Sequence, residues 1–381
     1  MHLPRWHKTL YVNMLQWSKG FENTGRLVTF PAMNHPLVGH SEARRRLADS
    51  VRNNRLPQVI LVTGPEGVGK QRLALWLAQL MMCERPGGEP CGECRPCRQV
   101  LGLSHPDLHW FVPIQRPKAG EADRQVDEAA ELLSEAIAAR REEPLYRGAD
   151  GMASHPIASA RLLLRRASLT PVQGGRKVFV VGEADRLVPQ EGSSDAANAL
   201  LKFLEEPPAD TWIVLTTTEP ERVLPTIRSR AVPLRLARLP DAEVRGFAER
   251  SLPDAPRGAE LDALVRHADG AIGRLLEGGE GAGKAAQDAR ALLDAVTSGG
   301  GARFERSLKQ PPWSARGAFT DLLDALAAEL AGRARESAPK GKSAPFVAAL
   351  ERVQAARAEA QGNVNPQLLL ASLAGELSEV L

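Results

Sequence analysis

Apolar positions first repeat in alternating strand-like and helix-like blocks, and beyond residue 236 in helix-like blocks alone. Residues 41–54 (SEARRRLADSVRNN) show helical spacing behind a polar start, and 58–63 (QVILVT) is a short β-branched run. A glycine loop and an amphipathic stretch at 72–82 follow. Strand-like runs return at 108–112, 177–181 and 212–216, with helical patterns between them. That alternation predicts an α/β domain with a parallel sheet. Residues 113–154 interrupt it with an Ala/Glu/Arg-rich insertion that includes one exposed helix, 123–141.

After residue 236, helical patterns run over 240–251, 260–267 and 271–277, and the Gly/Glu run at 278–283 reads as a linker. From Lys284 onward the chain is Ala/Leu-rich with helical period, broken near 299–301, 311–312 and 339–345. The organisation expected is an extension at 1–32, an α/β domain at 33–236, a small helical domain at 237–283 and a helical domain at 284–381. Met33 could equally be the native start. No repeat of solenoid period is present.

Composition narrows the class. Charged residues make up 25% and hydrophobic residues 43% of the chain, which excludes wholesale disorder. No apolar run approaches the length of a membrane span and none resembles a signal peptide, so a cytoplasmic protein is expected. The net charge of +3 is too small to indicate nucleic acid. Beyond Arg44–Arg46 and 161–166 (RLLLRR) there is no dense basic stripe, and these line helix surfaces more simply.

Gly64-Pro65-Glu66-Gly67-Val68-Gly69-Lys70 follows a strand and opens a helix, the context a phosphate-binding P-loop requires. Gly64, Gly67 and Gly69 let backbone N–H groups close on phosphate oxygens, the helix N-terminus adds partial positive charge, and Lys70 reaches the β/γ-phosphates. Gln71 stands where the motif calls for a Ser or Thr that ligates Mg²⁺. Gly182, after the run 178–181, stands where a metal-holding Asp is expected. Two independent losses thus fall on one ion: no Mg²⁺ is expected here, and hydrolysis should be weak or absent. A rescue of the metal by Glu183 or Asp185 is the competing reading. ATP binding stays open, because Lys70 and the glycines are intact.

All four cysteines, Cys83, Cys91, Cys94 and Cys97, fall in one C-x7-C-x2-C-x2-C cluster. Four thiolates at that spacing suit a closed, structural Zn²⁺ site. A pair of disulfides or a redox-active C-x2-C are the rivals, less suited to a reduced compartment. Two further stretches carry signal: 197–208 (ANALLKFLEEPP), a helix ending at a Pro pair, and 226–231 (TIRSRA). Thr216–Thr218 at a strand end could sense a γ-phosphate, and Arg230 could serve as an arginine finger.

This order of P-loop, four-cysteine module, SLTP (168–171), strand with a degenerate acidic end, ALLKFLEEPP and SRA resembles the bacterial clamp-loader AAA+ subunits. The resemblance covers roughly 35–380, strongest from 56 to 240, and omits the extension and the insertion. It implies a RecA-like AAA+ domain with an inserted zinc module at 83–97, a small helical lid, and a C-terminal helical collar that assembles a five-subunit ring. Within that ring the partners implied are gamma/tau and delta subunits, with the sliding clamp and primed DNA reached through the complex. Arg230, in Ser229-Arg230-Ala231, corresponds to the arginine that completes a neighbour's ATP site in trans. Ala231 departs from the family's Cys. Arg274 sits where the family carries a sensor arginine, and the first cysteine spacer is one residue shorter than usual. Gln71 and Gly182 fit the stator member of the ring, which does not itself hydrolyse ATP. The alternative is an active AAA+ ATPase, a gamma/tau-like motor or a helicase loader.

Overall fold

The computed structural model describes residues 37–118, 120–142, 153–173, 175–188, 194–252, 257–275, 280–298, 301, 316–360 and 364–381. Backbone contacts divide the chain into Met1–Met33 and Asn34–Leu381, and every described residue lies in the second unit. The extension expected at 1–32 therefore falls outside the described residues.

Helix α1 (Ser41–Arg52) leads to strand β1 (Val59–Thr63), and α2 (Lys70–Met82) starts directly behind the glycine loop. Helix α3 (Arg95–Leu101) closes the cysteine segment before β2 (Leu108–Phe111). Helices α4 (Ala122–Glu142) and α5 (Ile157–Ala167) precede β3 (Lys177–Val181). Then come α6 (Asp195–Glu205), β4 (Thr211–Thr217), the one-turn α7 (Pro225–Arg228) and β5 (Val232–Arg235).

The five strands pair in the order β2-β3-β4-β1-β5, all parallel. Every β3 residue and nearly every β1 residue is buried, as expected where helices cover both faces of a parallel sheet. This sheet and its helices share one apolar core running from Leu47 to Leu236. The α/β class expected from the sequence is present.

Four expectations are corrected. Helix α4 is not simply exposed: Val126, Ala129 and Leu133 are buried in the sheet core. The edge strand β5 adds to the four runs expected. The linker expected at 278–283 is helical from Glu280, where α10 begins; 278 and 279 lie outside the described residues.

The remaining chain is helical. Helices α8 (Asp241–Ser251) and α9 (Ala259–Ala268), with a 3₁₀ turn at Ile272–Leu275, surround a small core of Leu239, Val244, Phe247, Leu261, Val265 and Leu275. Where a further helix was expected at 271–277, only that turn is described. Helices α10 (Glu280–Ser298), α11 (Arg316–Ser337), α12 (Ala344–Ala360) and α13 (Pro366–Val380) enclose a third core. Asn365 starts α13 by accepting the Gln367 and Leu368 amides, with Pro366 at the first helical position. No helix among the described residues is long and apolar enough to cross a membrane.

Candidate functional site

The glycine loop lies at the C-terminal end of β1, the edge of a parallel sheet where ligands bind. Gly64, Gly67 and Gly69 all take positive φ, so the sharp turns that aim backbone N–H groups inward are formed. His40 Nε2 holds the Val68 carbonyl from outside at 2.8 Å. Lys70, however, is turned into its own loop: its ammonium donates to Gly64 O at 2.9 Å and Pro65 O at 2.7 Å. Burial pushes its pKa down to about 8, against the pull of the Glu66, Asp185 and Glu183 carboxylates.

The sequence region expected to supply a sensor arginine reaches this loop through its backbone. Gly273 N–H donates to Gly67 O at 2.9 Å, and a Cβ on Gly273 would come within 2.7 Å of Gly67 Cα. Arg274 is the next residue of that turn. Two further ties hold the helical segments near the loop. Arg357 of α12 pairs with Asp324 and lies 3.8 Å from Glu66. Asp269 receives both Arg238, at 2.6 Å, and Arg335, at 3.1 Å.

The residues at the metal position do not fit a divalent cation. Gln71 presents an amide, whose Oε1 is buried and unbonded, and Gly182 presents no ligand. Neither acidic neighbour substitutes. Asp185 Oδ1 accepts the Thr217 hydroxyl at 2.5 Å, and Glu183, in the left-handed conformation, pairs with Arg186 at 2.9 Å. Burial raises the Glu183 pKa, which favours its neutral form. Thr217, the strand-end threonine, is thus committed to Asp185 and to the Glu219 amide.

The cysteine cluster forms at the exit of α2 and the entry of α3. Cys83 ends α2, Cys94 caps α3, Cys97 lies in its first turn, and Cys91 sits in the loop between. All four sulfurs lie within 4.8 Å of one another, with Cys91–Cys97 at 3.9 Å and Cys83–Cys94 at 4.0 Å. Zn–S bonds of ~2.3 Å in a tetrahedron put sulfurs roughly 3.8 Å apart, whereas a disulfide brings them to ~2.05 Å. No disulfide joins any two of the four. Backbone amides of Arg85, Cys91 and Cys94 point at the sulfurs at 3.4 Å, an arrangement that favours thiolates. Those of Cys94 and Glu93 lower the Cys91 pKa to about 6, while burial pushes the Cys83 and Cys97 thiols up. The donor set fits one metal ion closed on all four sides, which leaves no position for a reacting ligand.

Arg230 follows α7 and precedes β5, whose Val232 pairs with Ile60 and whose Arg235 pairs with Thr63. It therefore sits at the opposite end of the strands from the phosphate loop, ~13 Å or more along the sheet. Its guanidinium donates to Thr226 O at 2.8 Å and to Glu205 at 3.3 Å. Glu205 belongs to ALLKFLEEPP, so the two signature stretches meet at this pair. That contact carries no short-range signal in the sequence. Sequence reading also missed His155, fully buried, whose Nε2 holds Gly182 O at 2.7 Å.

A family model described as "DNA polymerase III, delta subunit" matches residues 39–240. The DNA polymerase III subunit delta' of Bacillus subtilis is 33% identical over 184 residues, which is 48% of this chain and 43% of that protein. The DNA polymerase III subunit tau of Salmonella typhimurium is 30% identical over 272 residues, 70% of this chain and 33% of that protein. The match therefore spans less than half of either relative. Among solved structures, a gamma subunit-related protein of Thermotoga maritima aligns over 90% of this chain and 99% of its own, with 18% identity and a TM-score of 0.40.

Proposed function

The chain belongs to the DNA polymerase III delta subunit family, and from that premise we propose that it is the delta-prime-type stator of a clamp loader. It would take its place in a five-membered ring with gamma/tau and delta subunits, in the cytoplasm, and help to place a sliding clamp on primed DNA. Its chemical contribution is Arg230, offered to the nucleotide of the adjacent subunit. The lid at 237–283 and the collar at 284–381 hold it in the ring, the zinc module braces the α/β domain, and its own phosphate loop does little or no hydrolysis.

The observation that carries this reading is the position of Arg230. A residue at the far end of the strands from its own phosphate loop can complete only another chain's site. The Glu205 carboxylate holds its guanidinium in place without burying it, since the side chain is 30% exposed. At the chain's own loop the lysine is occupied by loop carbonyls and the cation ligands are missing, which favours a bracing rather than a motor role.

The intact glycines and Lys70, together with similarity to a tau subunit, favour the second reading, an active ATPase. One reconstitution separates the two. In a ring rebuilt with gamma/tau and delta partners, Arg230→Ala should leave assembly intact and lower clamp-stimulated ATP hydrolysis at the neighbouring site by about 10³-fold or more, the scale of an arginine finger. Lys70→Ala in this chain should leave that hydrolysis unchanged. Mg²⁺-dependent turnover by the isolated chain, abolished by Lys70→Ala, would instead establish the motor.

A further inference from the structure

The two positions that break the metal site touch each other. Gln71 lies in the first turn of α2 and Gly182 directly follows β3. A Cβ added at Gly182 would lie 2.8 Å from Gln71 Oε1 and 2.9 Å from its Cδ and Nε2. Real Cβ atoms do not approach other atoms so closely, so the amide occupies the volume through which any side chain at 182 must pass. Gly182 itself is fixed. Its N–H donates to Phe111 O at 2.8 Å, and its carbonyl accepts from His155 Nε2 at 2.7 Å. A side chain at 182 can therefore be accommodated only if the end of the Gln71 side chain moves aside.

Gln71 Oε1 is sealed from solvent without a hydrogen bond. An unbonded buried amide oxygen is unfavourable, so packing against the bare glycine, rather than polar contact, places this side chain. A Ser or Thr at 71 would be too short to reach the same space.

From this contact we propose that Gln71 and Gly182 form a matched pair, in which the Gln71 amide fills the space that a metal-holding carboxylate at 182 requires. The phosphate loop is then closed to a divalent cation by one interlocked unit. Reversal at either position alone does not reopen it. Gly182→Asp leaves the amide competing for the site, and Gln71→Thr supplies a hydroxyl with no carboxylate opposite. This inference concerns the isolated chain, so it holds or fails independently of the ring role proposed above.

The test is a pair of double-mutant cycles in the full chain. In the first, Gly182→Ala is made in the wild-type and Gln71→Thr backgrounds, and thermal unfolding is followed by circular dichroism. Gly182→Ala is expected to lower the midpoint by about 1–2 °C in the wild type and by less than half as much in the Gln71→Thr background. Equal losses in the two backgrounds overturn the pairing. In the second, binding of a fluorescent ATP analogue is titrated with and without Mg²⁺. The variant carrying both Gln71→Thr and Gly182→Asp should gain about tenfold or more in affinity from Mg²⁺, and neither single variant should gain. A Mg²⁺-dependent gain by Gly182→Asp alone, or none in the double variant, overturns the proposal. If the Asp variants do not fold, the alanine cycle decides alone.

Discussion

Stripping the metal from the cysteine cluster should unfold the segment that carries it and leave the sheet standing. The dozen residues from Cys83 to Cys94 contain no regular element, and the seven-residue α3 behind them is too short to persist unaided. The apolar contacts of Cys83–Cys94 centre on the sulfurs, which form a cluster of their own with Cys91 packed against it, whereas Val100 holds α3 in the sheet core. Ordering that dozen residues costs on the order of 12 kcal/mol at about 1 kcal/mol each. Zinc binding by a four-ligand site supplies roughly 10–16 kcal/mol, so the two nearly balance and the metal decides whether the segment is ordered. Glu89 would move with it, releasing Trp76 Nε1 at 2.7 Å and Arg44 at 3.4 Å. The sheet core, by contrast, rests on Leu73, Leu77, Val178, Phe179 and Ile213, which belong to a cluster separate from the sulfurs. Metal analysis of the native chain should give about one Zn²⁺ per chain. Hydrogen exchange after chelation, or in Cys97→Ser, should show amides 83–94 exchanging as free peptide while β1, β3 and β4 stay protected. Cooperative loss of protection across the sheet, or a native protein without bound metal, would refute this reasoning.

Two other outcomes follow from buried polar groups. His155 and His109 are held neutral, each pushed down to about 4, foremost by burial, with Arg186 and Arg140 adding to it at His155 and Arg166 at His109. The unfolded chain takes up protons near 6.5 and the native one only near 4, so the stability these residues confer is complete above pH 6.5 and is lost as pH falls toward 4. Urea midpoints should fall across that window, and His155→Gln should flatten the slope; an identical slope in the variant would discount His155. Asp107, 2% exposed, accepts the Val172 and Gln173 amides at 2.6 Å each and anchors the turn before β3. Asp107→Ala leaves both donors unpaired and should cost about 2–4 kcal/mol in urea unfolding, with new protease sensitivity at 168–173; a cost under about 0.5 kcal/mol would show that water replaces the carboxylate.

Much of the fold could be read from the chain because the signals are local. Four strands follow apolar β-branched runs, the glycine spacing places the loop between β1 and α2, and the C-x2-C turns bring four sulfurs together. Strand β5 escaped because Val232-Pro233-Leu234-Arg235 is short, largely exposed and carries a proline, which suits an edge strand and shows no alternation. In α4, Val126, Ala129 and Leu133 recur at helical spacing, but the surrounding Ala/Glu/Arg composition hides how much of that face is buried. At 280–283 the glycines argue for a linker; the apolar face from Ala285 through Ala289, Leu292 and Val296 carries the helix back through them, tertiary packing outweighing local propensity.

The site itself was harder to read, for one physical reason: its decisive contacts join residues far apart in sequence. Gln71 and Gly182 look like two unrelated losses on one ion when met as letters. Across the end of the sheet they lie within contact distance, and each makes the other tolerable. Independence along the chain is therefore a poor guide to independence in space, because a parallel sheet sets the ends of distant strands side by side. Arg230 makes the converse point. Its motif names a candidate phosphate ligand, but only the register of β5 on β1 shows that its own phosphate loop is out of reach. An arginine at the far end of the strands from its own phosphate loop, in a chain whose lysine is bound to its own loop, is what the proposed role at a neighbouring subunit's nucleotide requires.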